Sequence, residues 1–233
     1  MKYTIAIPAY KSDFLKECIE SILNQTFQDF ELIIIDDASP YPIREIISQF
    51  NDPRISYYRN KTNSGAINVV DNWNKCLSLA QGEYFCLMGD DDIMGCEYLA
   101  EINKLIQQFP TVCVFHGRTM EINEHSQRTL LYQAWPIQQS VYDLIWHRIA
   151  RLRVTFISDF TFKTKKLRDR SEVSINYLWH GVLMILPFIK QQSRMELPPP
   201  IKWSSTTEDI AQVSLHLEPQ QSNFRLFNKN FSG

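Results

Sequence analysis

Apolar strand-like runs that alternate with helical stripes set the strongest limit on how this chain folds. Four such runs fall at residues 3–9, 31–35, 54–58 and 83–88. Each is followed by apolar residues spaced three and four apart, as in Leu15, Ile19 and Ile22. Strands that alternate with helices predict an α/β fold with a mostly parallel sheet flanked by helices. Ligands bind to such sheets beyond the carboxyl ends of the strands.

Acidic residues follow two of these runs, at the points where the predicted strands end. Asp90, Asp91 and Asp92 come after the fourth run, and three adjacent carboxylates repel one another unless a positive charge lies between them. Mg2+ and Mn2+ prefer oxygen ligands of this kind, often together with substrate phosphates. The alternative for this run alone is a solvated acidic turn or helix start.

A second acidic cluster, the pair Asp36-Asp37, ends the second run. A carboxylate there can accept a hydrogen bond from an N–H group on the edge of a nucleotide base, and the alternative is a simple turn before the next helix.

The polar loop at 60–65 precedes the third helix and ends in Gly65. Its backbone N–H groups are candidates for a phosphate contact, although an ordinary connecting loop fits equally well. The two acidic clusters together are more telling than either one alone.

Composition limits the classes of function. The chain is 44% hydrophobic and 21% charged with a net charge of -2, which fits one globular domain and lacks the basic surface that nucleic-acid binding needs. The apolar runs are shorter than the ~18 residues of a membrane span, and the N-terminus enters a strand without a signal-peptide pattern. We therefore expect a cytoplasmic protein without a membrane span, for which peripheral association with the inner membrane face stays open. Its five cysteines lack metal-ligand spacing and are expected to be reduced core residues.

Six motifs together resemble family 2 glycosyltransferases of the GT-A fold, a Rossmann-like α/β architecture. They lie, in the order and spacing of that family, at residues 5–10, 21–26, 35–39, 63–65, 80–84 and 89–92. The similarity is close over residues 3 to about 110, which makes 1–110 the nucleotide-sugar-binding half of a GT-A domain at 1–169. The resemblance implies an inverting glycosyltransferase with a nucleotide diphosphate sugar as donor, UDP-sugar being expected, and with Mn2+ or Mg2+ as cofactor.

The resemblance also assigns roles to individual residues on the nucleotide side. Pro8, Ala9 and Tyr10 would line the base pocket, and Asp37 would pair with uracil or another base. The segment from Asn63 to Gly65 would lie near the nucleotide.

On the sugar side, Asp90 would meet the ribose, Asp91 would be the metal ligand, and Asp92 would lie near the sugar or behind the ligand. Many family members carry Asp where this chain has Gly89, which leaves Asp91 as the main ligand. The acceptor is expected to be a saccharide or a lipid-linked molecule, as in polysaccharide or glycolipid synthesis. A carboxylate from the C-terminal half would deprotonate its hydroxyl, and the candidates are Glu208 and Asp209.

The chain leaves the family pattern near residue 170. One subgroup continues with Ile-Gly-Gly-Phe and then Leu-Ala-Trp-Gly-x-Asp-Asp, which residues 170–187 lack. Permitted codons for these residues, read in a displaced frame, nevertheless encode Ile-Gly-Gly-Phe-Asp-Lys-Leu-Ser-Leu-Ala-Trp-Gly-Val-Asp-Asp-Ile-Thr. We therefore predict that a frameshift near residues 168–170 replaced the native C-terminal part with 170–233. The alternative is a divergent tail in which Glu208 and Asp209 act.

Two other functions would use some of the same features. A nucleotide-sugar-binding protein with impaired or no turnover needs Asp37 and Asp91 but no working acceptor half. A nucleotidyltransferase shares the α/β layout but would need a glycine-rich basic loop near the N-terminus. Residues 8–13 contain no glycine, which argues against that function.

Overall fold

The computed structural model describes residues 1–65, 68–150, 154–168, 211–214 and 224–227. The strands are β1 (Tyr3–Ala9), β2 (Phe30–Asp36), β3 (Ile55–Arg59), β4 (Tyr84–Leu87), β5 (Val114–His116), β6 (Thr119–Ile122), β7 (Arg128–Leu131), β8 (Gln138–Ser140), β9 (Phe160–Lys163), β10 (Ala211–Ser214) and β11 (Phe224–Phe227). The helices are α1 (Leu15–Leu23), α2 (Ile43–Ile47), α3 (Val69–Leu79), α4 (Tyr98–Gln108), α5 (Val141–Ile149) and α6 (Thr164–Arg168).

Among these residues the strands form a large and a small sheet. The large sheet has the order β3-β2-β1-β4-β9-β5-β10-β8, and the small one has the order β11-β6-β7. β1 pairs in parallel with β2 and β4, and β2 pairs in parallel with β3. The predicted parallel α/β sheet is therefore confirmed. β9 is a departure from the strand–helix alternation, because it runs antiparallel between β4 and β5.

Apolar residues on both faces of the central strands explain why these runs are continuous in sequence rather than alternating. Ile5 and Ile7 of β1 pack into one core with α1 and α4. Ile33 and Ile35 of β2 pack into a second core with α3. Both strands are therefore covered on their two faces, and the loops that follow them start from fixed positions.

Gly82 has a different role from the helix C-cap that its sequence position predicts. α3 ends at Leu79, and its C-cap is Ala80 in an extended conformation. The Gly82 N–H donates to the Thr4 hydroxyl at 2.8 Å, and a Cβ atom on Gly82 would lie 2.5 Å from the Thr4 nitrogen. The glycine is needed because the chain passes so closely against β1 on its way into β4.

The cysteines are free thiols, as predicted, but they are not all core residues. Cys18, Cys76 and Cys86 are buried, whereas Cys96 is exposed because it lies in the turn before α4. Within the described residues, none of the helices has the length and apolar character needed to cross a membrane.

Candidate functional site

The carboxyl ends of β1, β2 and β4 meet at one edge of the large sheet. β1 lies in the middle, since Ala9 pairs with Asp36 of β2, and Ala6 pairs with Leu87 of β4. The Asp37 N–H extends this pairing by donating to the Ala9 carbonyl at 2.9 Å. The sheet thus brings the two acidic clusters to either side of the loop that follows β1.

Asp36 is fully buried and holds the turn that follows β2. It accepts hydrogen bonds from the Ser39 amide at 2.8 Å and from the Tyr57 hydroxyl at 2.8 Å, and it forms an ion pair with Arg59. Between Asp36 and Ser39, Ala38 has a φ of 51°, in the left-handed region that non-glycine residues seldom adopt. Asp36 is therefore committed to the protein's own structure.

Asp37 faces the loop between β3 and α3. Its Oδ1 accepts from the Asn60 side-chain amide at 2.6 Å and from the Ser64 hydroxyl at 3.0 Å. The Ser64 backbone N–H lies 3.0 Å from each of the two Asp37 oxygens. Because these contacts concentrate on Oδ1, Oδ2 has the greater remaining capacity to accept a base N–H group.

The loop after β1 contains the other residues predicted to line a base pocket. Ala9 is buried and Pro8 is half-buried, whereas Tyr10 is 41% exposed. The Tyr10 ring meets Tyr41 edge to face, with 6.2 Å between the ring centroids. Of the three predicted residues, Tyr10 is therefore the one that presents an aromatic side chain at the surface.

Asp90 anchors that same loop. Its Oδ2 accepts from the backbone N–H of Tyr10 at 2.7 Å and of Lys11 at 2.6 Å. Burial raises the pKa of Asp90, and the two hydrogen bonds oppose that rise. The carboxylate that the sequence assigns to a ribose contact thus also fixes the position of Tyr10.

Asp92 is buried under the turn that joins the acidic run to β4. It accepts from the Gly89 N–H at 3.0 Å and from the Ser158 side chain, which lies just before β9. Burial raises the pKa of Asp92 to about 7, and the neighbouring Asp91 charge adds to the rise. A Cβ atom on Gly89 would lie 2.8 Å from Asp92 Oδ2, so the Asp92 carboxylate fills the space that a side chain at residue 89 would need.

Asp91 is the most accessible member of the run. Its side chain is 23% exposed, whereas Asp90 and Asp92 are buried. The Lys11 ammonium lies 3.5 Å from Asp91 Oδ2. The protein thus already places a positive charge beside the carboxylate that the sequence assigns to a metal.

The donor set fits a divalent cation that is shared with a ligand, rather than one enclosed by the protein. In the part of the chain that the structure describes, no cluster of three or more His, Cys, Asp or Glu side chains is arranged to hold a metal ion. Asp90 and Asp92 are engaged in internal hydrogen bonds, which leaves Asp91 as the accessible carboxylate. A hard cation such as Mg2+ is commonly bound through one or two carboxylates plus substrate phosphates, and Asp91 fits that arrangement.

The remaining predicted site residues fall partly outside the described structure. Asn63 and Gly65 are exposed in the loop before α3, and Gly65 has a φ of 66°, which favours glycine. Glu208 and Asp209 lie outside the described residues, as does the start of the predicted frameshifted segment. The roles assigned to these residues stay predictions.

Three residues whose side chains were assigned no role from the sequence complete the site. Lys11, Asn60 and Ser158 contact the acidic clusters from distant parts of the chain. Asn60 opens the polar loop at 60–65, which was predicted only as a backbone contact for phosphate, and local spacing gives no signal for Ser158. Lys11 directly follows the first motif, which is the one sequence signal that could have marked it.

Comparison with known proteins agrees with this geometry. The family described as Glycosyl transferase family 2 matches residues 4–173 of the chain, which is well over half of it.

Individual glycosyltransferases match shorter stretches of the chain than the family does. The putative colanic acid biosynthesis glycosyl transferase WcaA of Escherichia coli is 42% identical over 76 residues, covering 32% of this chain and 26% of WcaA. The poly(ribitol-phosphate) beta-glucosyltransferase of Bacillus spizizenii is 34% identical over 104 residues, covering 42% of this chain and 16% of that protein. In both cases the chain spans well under two thirds of the relative's own length.

Solved structures share the fold at low sequence identity. TarS of S. aureus in complex with UDP-GlcNAc has a TM-score of 0.69 at 16% identity, covering 100% of this chain and 60% of that chain. The mannosyltransferase PcManGT of Pyrobaculum calidifontis, in complex with GDP-Man and Mn2+, has a TM-score of 0.52 at 17% identity, covering 72% of this chain and 46% of that chain. These likenesses concern the fold.

Proposed function

The chain belongs to glycosyl transferase family 2, and from that premise we propose that it transfers a sugar from a nucleotide diphosphate sugar to an acceptor hydroxyl. A UDP-sugar is the expected donor, and a saccharide or lipid-linked molecule is the expected acceptor. One observation carries the proposal: Asp37, whose Oδ2 accepts fewer hydrogen bonds from the protein than Oδ1, and the accessible carboxylate of Asp91 lie at strand ends that flank β1. A nucleotide with its base at Asp37 and its diphosphate at Asp91 would span that edge of the sheet.

The nucleotide end depends on residues that follow β1 and β2. Asp37 Oδ2 would accept an N–H group from the edge of the base. Tyr10 would pack against the face of the base, because an aromatic ring and a flat base stack favourably. Asp90 keeps Tyr10 in place by accepting the hydrogen bond from its backbone N–H.

The diphosphate end depends on Asp91. Asp91 would hold Mn2+ or Mg2+ together with diphosphate oxygens, and the cation supplies neutralisation of the leaving diphosphate. Lys11, at 3.5 Å from Asp91, adds a second positive charge on the same side. Asp92 stays behind the turn and keeps it closed through its hydrogen bond with Gly89.

The acceptor hydroxyl must lose its proton as it attacks the anomeric carbon, on the face opposite the leaving diphosphate. Attack from that face inverts the configuration at the anomeric carbon. A carboxylate within hydrogen-bond reach would accept the proton. If residues 170–233 are a divergent tail in the native frame, this base would be Glu208 or Asp209.

The names of related proteins support a role in the assembly of surface polysaccharides. WcaA is assigned to colanic acid biosynthesis, and TuaG of Bacillus subtilis, 34% identical over 92 residues, to teichuronic acid biosynthesis. TarS binds UDP-GlcNAc and PcManGT binds GDP-Man, which supports a nucleotide sugar as donor and leaves the choice of base to experiment.

A thermal-shift screen of UDP, GDP, CDP and ADP with and without Mn2+ tests this function, because a ligand that binds only the folded state raises the melting temperature. We expect the largest rise with UDP and a requirement for Mn2+. Transfer is then tested by release of the diphosphate from the matching nucleotide sugar when an acceptor is added. If none of the nucleoside diphosphates shifts the melting temperature, with or without metal, the proposal is wrong.

A second function, nucleotide-sugar binding with impaired or no turnover, is supported by the displaced-frame reading that begins at residue 170. The family match ends at residue 173, close to that point. If the native frame is lost there, the Asp-Asp pair of the displaced reading, and with it the base, is missing from this chain.

Sequencing the gene and restoring the displaced frame at codons 168–170 separates the two functions. We expect the two chains to bind the nucleoside diphosphate with similar affinity and only the restored chain to release it from the donor in the presence of acceptor. Equal transfer by both chains would contradict the frameshift, as would a gene without the displaced reading.

A further inference from the structure

We infer that Asn60 is a positioning residue that aims Asp37 at the nucleotide base and thereby sets how strongly the site discriminates between bases. The inference rests on the proposed function. Asn60 joins the ends of two strands to a helix through its hydrogen bonds. Its backbone N–H donates to the Asp36 carbonyl at 2.8 Å, which ties the end of β3 to the end of β2.

Both the nitrogen and the oxygen of the Asn60 carboxamide form hydrogen bonds. Its nitrogen donates to Asp37 Oδ1 at 2.6 Å and to Asn72 Oδ1 of α3 at 3.0 Å. Its oxygen accepts from the Lys75 ammonium, also of α3. Since Asn72 is buried and lies on a helix that packs against β1 and β2, the carboxamide is held from several sides.

This arrangement decides which oxygen of Asp37 is offered to a ligand. Oδ1 accepts from the side chains of Asn60 and Ser64, with Asn60 the closer at 2.6 Å, whereas Oδ2 accepts from the Ser64 backbone N–H at 3.0 Å. An amide side chain fixed by α3 can hold the carboxylate against rotation, whereas Ser64 belongs to an exposed loop. Oδ2 is thereby turned toward the base position, where a single carboxylate oxygen selects bases that present an N–H group.

A residue that served only to stabilise the fold would not affect base choice. The informative comparison is therefore between ligands with and without a base. Pyrophosphate with Mn2+ reaches only the Asp91 side, whereas UDP with Mn2+ reaches both clusters. If Asn60 positions Asp37, its loss affects the second ligand and not the first.

The experiment measures the Kd of UDP, CDP and pyrophosphate, each with Mn2+, by calorimetry, because uracil has an N–H group at N3 where cytosine has a nitrogen without a hydrogen. The variants are Asn60→Leu, which removes both ends of the carboxamide without adding charge, and Asn60→Asp, which keeps the shape, loses the donor and adds a negative charge beside Asp37. Asn51→Leu is the matched control, because Asn51 is exposed and lies before β3, at the opposite end of that strand. Lys75→Met, a change at an exposed helix position, tests the same network if the Asn60 variants do not fold.

We expect both Asn60 variants to bind UDP roughly five to tenfold more weakly, with the preference for UDP over CDP reduced by the same factor. Pyrophosphate affinity should stay unchanged, and Asn51→Leu should behave as the wild type. Lys75→Met should reduce the preference by roughly two to threefold.

Equal losses for UDP and pyrophosphate, or an unchanged UDP preference in any of these site variants, would overturn the inference. A wild-type chain that binds none of the ligands would overturn the proposed function and this inference with it, and one that binds all three without base preference would overturn the inference alone.

Discussion

The acidic pair after β2 and the acidic run after β4 have the same kind of sequence and very different surroundings. In the pair, each carboxylate has partners from the protein itself. Arg59 forms an ion pair with Asp36, and Asn60 and Ser64 donate to Asp37. Both carboxylates of the pair are therefore bound by hydrogen bonds or an ion pair within the protein.

The acidic run at 90–92 is less well compensated. Its nearest described cation is Lys11, at 3.5 Å from Asp91. Burial raises the pKa of Asp90 and of Asp92, the latter to about 7. Three carboxylates with so little positive charge nearby make a place where a divalent cation is favourable.

The contrast teaches that a strand-end acidic cluster can serve two purposes, which are told apart by what the protein supplies around it. A cluster with its own donors is ready to accept a hydrogen bond from a ligand. The acidic run at 90–92 also has donors, which bind Asp90 and Asp92, but its accessible carboxylate, Asp91, has one exposed lysine beside it and favours a cation. In both clusters one carboxylate, Asp36 or Asp90, is used to fix a turn or loop, and its neighbour is left for the ligand.

The largest effect is expected from Asp91→Asn, which removes one charge without changing the shape. Because Asp91 is the accessible carboxylate of the run, we expect Asp91→Asn to lose most of the roughly 100-fold gain in nucleoside diphosphate affinity that Mn2+ provides. Calorimetric titration with and without Mn2+ measures it. Asp29→Asn, at an exposed site before β2, is the control and should bind as the wild type. An unchanged Mn2+ effect in Asp91→Asn would remove the metal assignment.

The next effect concerns pH and stability without metal. The Asp92 pKa is about 7 in the folded protein and about 3.9 in the unfolded chain, so between these values the folded state holds a proton that the unfolded state has released. The free energy of unfolding should therefore fall as the pH rises from about 4 to about 7, with a slope of up to about 1.4 kcal/mol per pH unit from this group. Asp92→Asn should show a smaller fall in urea denaturation over the same range. Parallel curves for the two proteins would show that Asp92 stays ionised when folded.

Asp37→Ala should weaken nucleotide binding by roughly 1 to 3 kcal/mol, since a base donor loses its charged acceptor. Pyrophosphate binding with Mn2+ should not change, because the second cluster is intact. The comparison of UDP with pyrophosphate therefore assigns the loss to the base. If the variant loses affinity for both ligands equally, the first cluster does not read the base.

The smallest effect is expected from Arg59→Met, which removes the ion-pair partner of Asp36. The Arg59 side chain is 48% exposed, so solvent screens the pair from that side and we expect a small loss of stability. Thermal unfolding measures this cost, and the Mn2+ effect on nucleotide binding should stay as in the wild type. A large change in the Mn2+ effect would mean that the two clusters do not act separately.

The regular part of the fold could be predicted from sequence because the runs that form β1, β2 and β4 are buried on both faces and the helices beside them have an apolar stripe. β1, β2 and β4 follow from that pattern, as do the acidic residues at their ends. β9 could not be predicted in the same way, since its partners β4 and β5 lie far away in the sequence. The place of Gly82 also depends on a distant contact, with Thr4.

The different roles of neighbouring carboxylates within each cluster could not be predicted from the sequence. Asp36 and Asp37 are chemically identical neighbours, and their roles differ because one side chain meets Tyr57 and the other meets Asn60. The same holds for Asp92, whose burial depends on a segment near Ser158. Residue type and spacing predicted where the site lies, and tertiary contacts decide which oxygen is free to act.

The most direct test of the account is the affinity of the wild-type chain for Mn2+ in the presence of UDP, compared with its affinity in the presence of uridine. Because the accessible protein ligand is Asp91, the cation should depend on phosphate oxygens for the rest of its coordination. We predict that Mn2+ binds roughly 100-fold more tightly to the UDP complex than to the chain alone or with uridine, and that Mn2+ strengthens UDP binding by the same factor as UDP strengthens Mn2+ binding, as linkage requires. Equal Mn2+ affinity with UDP and uridine, or UDP binding that is unaffected by removal of the metal, would contradict the claim that the acidic run at 90–92 needs a cation shared with the diphosphate.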